Sequence, residues 1–64
     1  MNVKLRRIKL GKTQEQIRKE VKISPRKLVE AERGNYEKLT FANMIAIAKA
    51  LETDVQTLFF AEEN

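Results

Sequence analysis

Arg26, Lys27, Val29, Glu30 and Arg33 fall within eight residues, directly after a Ser24-Pro25 pair. On a helix turned outward, the guanidinium of Arg26 offers a fork of donors that matches O6 and N7 of guanine. Lys27 carries a point charge for guanine or for phosphate, and Val29 can touch a thymine methyl. Glu30 can accept from cytosine N4. Standing four residues after Arg26, it can instead orient that arginine. Arg33 supplies a donor for phosphate. This is the chemistry of a polyanion whose edges are read, and it needs a scaffold that holds one short helix clear of the core.

The surrounding sequence supplies such a scaffold. Thr13 caps a helix, with Gln16 three residues on to complete a capping box. Ile17 and Val21 form that helix's inner stripe. Ser24 caps the next helix, Pro25 takes its first position, where a missing N–H costs nothing, and Gly34 closes it. Thr13 to Gly34 thus reads as two short helices joined by a tight turn, packed crossed rather than as a long hairpin. Packing of this kind needs apolar side chains at Ile17, Val21, Ile23, Leu28 and Ala31, and all five are present. Lys22, at the turn, is expected in the left-handed region at a cost of roughly 1 kcal/mol. Arg18 must lift its stem out of the helix contact.

An earlier helix runs from about Asn2 or Val3 to Leu10 and ends at Gly11. After a polar loop, Asn35 to Leu39, Thr40 caps a helix over FANMIAIAKAL. That helix is apolar nearly all round (Phe41, Met44, Ile45, Ile47, Ala48, Leu51), which predicts a place in the middle of a bundle. Asp54 caps a last short helix carrying Val55, Leu58 and Phe59. Nothing alternates with period two. The expectation is an all-α fold, a compact bundle of five helices in one domain over residues 1–64, with the helix-turn-helix in the second and third.

Sixty-four residues leave no room for a second domain. A chain of this size buries only about 60% of its unfolded surface, so dimerisation would help it. It has no cysteine and no histidine, which removes disulfides, thiolate chemistry and ordinary zinc sites and fits a reducing cytoplasm. No metal or cofactor is expected. No apolar run approaches the roughly 20 residues of a membrane span, and the opening MNVKLRRIKL lacks a signal peptide's apolar region. Met1 and the absence of a linker suggest a complete chain. Charge is divided unevenly. Residues 1–38 hold 12 Lys/Arg against 5 Asp/Glu, a balance of +7, and residues 39–64 hold one Lys against 4 acids, a balance of −3. One half is built to meet a polyanion. Gly11-Lys12-Thr13 is not the end of a phosphate-binding loop, because Arg6 stands where that motif needs glycine and no strand precedes it. Pro25 forbids a coiled coil across the Glu/Lys alternation before it. No convergent carboxylate cluster suggests an enzyme.

Three segments in order, RRIKLGKTQEQI, the Ser24 to Gly34 stretch ending in ERG, and IAKALETDVQTLF, resemble the Cro and phage-repressor (XRE) type of helix-turn-helix regulators, from about Val3 to Phe59. Arg18 and Lys22 stand where relatives carry small residues. The loop after the third helix is slightly longer than usual and lacks the customary proline. The resemblance implies a transcriptional regulator, of the prophage or mobile-element repressor type, that binds a pseudo-palindromic double-stranded DNA operator as a homodimer. It implies a structural ion pair between Arg7 and Glu32, holding the first helix to the recognition helix. It also implies a grip on the DNA backbone by Gln14, beside the Thr13 cap, where free N–H groups and the helix dipole favour phosphate. Thr13, Gln14, Ser24, Lys27, Arg33, Asn35, Tyr36 and Lys38 form the expected positioning set, and Arg26, Val29 and Glu30 the reading set. Leu58 and Phe60 are the expected dimer contacts, since Phe59 fits the core stripe and Phe60 then points elsewhere. The competing expectation is a protein-binding antitoxin or antirepressor module, in which a partner protein covers the outward helix.

Overall fold

The computed structural model describes residues 2–60. Every regular element among them is helical: α1 (Val3–Lys9), α2 (Gln14–Val21), α3 (Pro25–Glu32), α4 (Phe41–Ala50) and a final wide turn of π type, α5 (Gln56–Phe60). Each starts where a side-chain acceptor meets N–H groups that the helix itself cannot satisfy. Asn2 Oδ1 takes the Leu5 N–H at 2.8 Å, and Ser24 Oγ takes that of Lys27 at 3.2 Å. Two helices carry reciprocal boxes. Thr13 pairs with Gln16 in both directions, and Thr40 does the same with Asn43. Asp54 Oδ1 accepts from the Thr57 N–H at 2.7 Å.

Left-handed residues end the helices. Gly11 (φ +72°) and Gly34 (φ +86°) reach that region without strain, whereas Lys22 (φ +60°) and Glu52 (φ +57°) do so with a Cβ in the way. Lys22 is the turn residue between α2 and α3, so the tight turn is obtained against local preference. α2 packs on α4 and on α3, and α1 packs on α3. Where they meet, Val3, Ile17, Leu28, Ile47 and Leu51 are fully buried, joined by Ile23, Ala31, Met44, Ala48 and Phe59. Of the five apolar helix-turn-helix positions, only Val21 stays half-buried at the core's margin.

Two expectations are corrected here. α4 is not wrapped on all sides: Phe41 is 66% and Ile45 36% exposed, four residues apart on one outer stripe. A chain of this size has too little mass to surround a ten-residue helix on every side. Leu58, expected at a dimer surface, is buried in the core, while Phe60 stays half-exposed. In the wide α5 turn, Leu58 and Phe59 both point inward.

The carboxyl end of α4 is closed from a distance. Arg6 donates to the carbonyls of Leu51 (2.8 Å) and Glu52 (3.0 Å), and Lys12 Nζ donates to that of Ala50 (2.7 Å). Cations at the negative pole of a helix satisfy orphan carbonyls and its dipole together.

Replacing Lys22 by glycine is expected to raise the free energy of unfolding by about 0.5–1 kcal/mol, the left-handed strain relieved less the added freedom of the unfolded chain. Urea unfolding of Lys22→Gly beside Lys22→Ala checks this, since alanine relieves nothing. The Asp54 carboxyl is held below the ordinary aspartate range, first by the Thr57 N–H and then by the Thr57 hydroxyl. A lowered folded-state value stabilises the fold above the unfolded value and loses that contribution as pH falls through the folded one. In an acid titration the stability gap between the unchanged chain and Asp54→Asn should therefore stay constant near neutrality and change only in the acid range, where the unchanged chain loses the carboxylate's contribution.

Candidate nucleic-acid interface

Leu28 and Ala31 fix the inner face of α3 in the core. The helix therefore turns Arg26, Val29 and Arg33 outward, with Lys27 and Glu30 partly covered at its flanks. Ser24 and Pro25 begin it at the surface, which leaves its first turn open to a long ligand lying across it.

The angle at which α3 is offered is set by one carboxylate. Glu32 Oε2 accepts from Arg7 Nε at 2.7 Å and Glu32 Oε1 from Arg7 Nη2 at 3.3 Å, a two-pronged pair joining α3 to α1. Both side chains are largely covered, Arg7 at 13% and Glu32 at 6% exposure. The remaining arm of Arg7 donates to the Lys12 carbonyl at 2.9 Å, which ties in the α1–α2 connection. Gln14 Nε2, from the first turn of α2, donates to the same Glu32 Oε1 at 3.1 Å. α1 and α2 thus both reach Glu32 of α3. Arg fits this work better than Lys because its planar fork meets both carboxylate oxygens. Gln14 keeps one amide hydrogen and its oxygen for another partner, beside the Thr13 cap.

Around the carboxyl end of α3 the structure differs from the expectation. Glu30 does not orient Arg26. Its carboxylate accepts from Asn35 Nδ2 at 2.6 Å and lies 3.8 Å from Arg33 Nη1. Arg26 makes no ion pair with any described residue. The turn of helix between Arg26 and Glu30 permits their contact, but the chain folds back after Gly34 and brings a nearer donor. Tyr36 is half-buried, its ring edge-on to Phe59 at 5.0 Å, so the loop that carries Asn35 and Lys38 is pinned to the core. Lys38 is exposed.

Arg6 and Lys12 were not singled out from the sequence. Their basic character was plain, but their partners lie 45 and 38 residues away, and the signal for a capped α4 gave no hint of which cation arrives.

Two short helices joined by a tight turn, the second presenting Arg26 on its outer face and locked to the rest by a covered ion pair, define a helix-turn-helix DNA-binding domain. The chain matches the family model for helix-turn-helix over residues 3–58 and belongs to that family, in its XRE-type form. It is accordingly a DNA-binding regulator and not an enzyme. No curated protein and no solved structure matches it.

Removing either partner of the Arg7–Glu32 pair leaves the other's charge covered and unpaired, at a cost of about 3–5 kcal/mol. A double-mutant cycle of Arg7→Met and Glu32→Gln, followed by urea unfolding, should give a double variant much less damaged than the sum of the singles.

Proposed function

We propose that this chain is a sequence-specific transcriptional repressor, of prophage or mobile-element type, that binds a pseudo-palindromic operator as a homodimer with α3 in the major groove. One observation carries the reading: Arg26 stands exposed on the outer face of α3, with no described acid to occupy its guanidinium, while Leu28, Ala31 and Glu32 hold the inner face still. An unengaged arginine fork on a fixed helix is what bidentate contact with guanine requires. Val29, beside it, is an apolar neighbour suited to a thymine methyl.

Thr13, Gln14, Ser24, Lys27, Arg33, Asn35, Tyr36 and Lys38 would hold phosphates, setting register without reading sequence. Two copies related by a dyad would set their recognition helices about 34 Å apart, one turn of duplex. Phe60 on α5 and the Phe41–Ile45 stripe on α4 are exposed apolar groups available for pairing the copies, in place of the buried Leu58. The reading treats residues 1–64 as one domain working in the cytoplasm with its DNA. A partner protein lying on α3 is the competing reading, favoured by an acid on that helix and by the same exposed aromatics.

Selection from a pool of random duplexes, then salt titration on the enriched site and on a scrambled control, tests the reading. The expected result is a two-fold symmetric site whose binding falls with a log–log salt slope of about −5, from roughly six phosphate contacts. Arg26→Ala should cost about 1–3 kcal/mol on the enriched site and far less on the control. Equal losses on both would remove the base-reading role, and no binding even at low salt would turn the search to a protein partner.

A further inference from the structure

We propose that Glu30, an acid on the recognition helix, does not read a base but serves as the positioning residue for Asn35, presetting the asparagine amide as a phosphate donor. The inference rests on the DNA-binding reading of the preceding subsection.

Two bonds join the residues. The Asn35 N–H donates to the Glu30 carbonyl at 2.9 Å, and Asn35 Nδ2 donates to Glu30 Oε2 at 2.6 Å. An ionised carboxylate only accepts, so it must be met by the NH2 end of the amide. That fixes the rotation of the asparagine side chain and leaves one amide hydrogen uncommitted. A phosphate oxygen also only accepts, and that remaining hydrogen suits it. Charge explains why Glu30 is tolerated beside a polyanion. Its side chain is 22% exposed, and the guanidinium of Arg33 stands 3.8 Å away on the solvent side, at 73% exposure. The acid is faced by its neighbours, and the groups presented beyond it are Arg33 and the Asn35 amide. A carboxylate already engaged by an amide and faced by an arginine turns less of its acceptor capacity outward to cytosine N4.

The test compares Glu30→Gln with Glu30→Ala, each made in the unchanged chain and in Asn35→Ala. Both substitutions at 30 remove the negative charge, so their difference isolates the acceptor, which glutamine retains in its Oε1. On the operator obtained by selection, Glu30→Gln should bind about tenfold tighter than Glu30→Ala, a gap that closes to less than about twofold when Asn35 is alanine. The base preferences of Glu30→Ala should be those of the unchanged chain. A change of preference confined to one base pair of each half-site would overturn the proposal and make Glu30 a reader. An equal gap with and without Asn35 would overturn it too.

Side-chain amide resonances of Asn35, recorded without DNA, separate this failure from that of the underlying reading. They should shift in Glu30→Ala and return toward the original in Glu30→Gln. Resonances indifferent to both substitutions would refute the Glu30–Asn35 contact itself. A shift as expected, in a protein that binds no duplex, would remove the DNA reading and the positioning role with it, leaving a structural bond.

Discussion

Everything this domain offers to a ligand depends on the Glu32 carboxylate being held in place. It sits at the last turn of α3 and gathers Arg7 from α1 and Gln14 from α2. A helix of eight residues has too little buried surface to fix its own orientation. Leu28 and Ala31 give it depth, but two apolar contacts leave it free to roll about its axis. The two-pronged arginine pair removes that freedom, because a planar fork and a carboxylate meet well in only one orientation. Covered ion pairs are weak evidence for net stability, and the value of this one lies in specifying how α3 is presented.

The same economy governs the basic residues. The amino-terminal half has a surplus of positive charge, yet its members do different work. Arg7 is consumed by Glu32, and Arg6 and Lys12 are consumed by the carbonyls that end α4. Arg26, Lys27 and Lys38 make no ion pair with the described residues. A count of charges would have treated all of these alike. Their partners separate them, because a cation loses less by leaving water when a fixed carboxylate or a row of orphan carbonyls replaces it.

Apolar surface is divided with similar inequality. α4 is the most apolar helix, but Phe41 and Ile45 stand outside, and at the end of the chain's described part Phe60 does as well. A small domain cannot enclose a helix on every side, so an apolar sequence is necessary for a central helix and not sufficient.

The helix starts, the tight turn at Lys22 and the five helical elements were all legible in the sequence. They depend on local physics: a Ser, Thr, Asn or Asp that caps, a proline that belongs at a first turn, a residue forced to positive φ. Which side of α3 faces out was legible too, because Leu28 and Ala31 leave one polar arc. The resemblance to phage repressors pointed to Arg7 and Glu32, and these side chains meet. What each polar group touches was decided only by the tertiary structure. Glu30 meets Asn35 rather than Arg26 because the chain reverses after Gly34, and Arg6 and Lys12 close a helix some forty residues away. Leu58 and not Phe60 enters the core because a wide final turn sets their directions. Backbone preferences act over a few residues and are written in order along the chain. A side chain's partner is whichever group the completed fold brings within about 3 Å, and no spacing in sequence measures that.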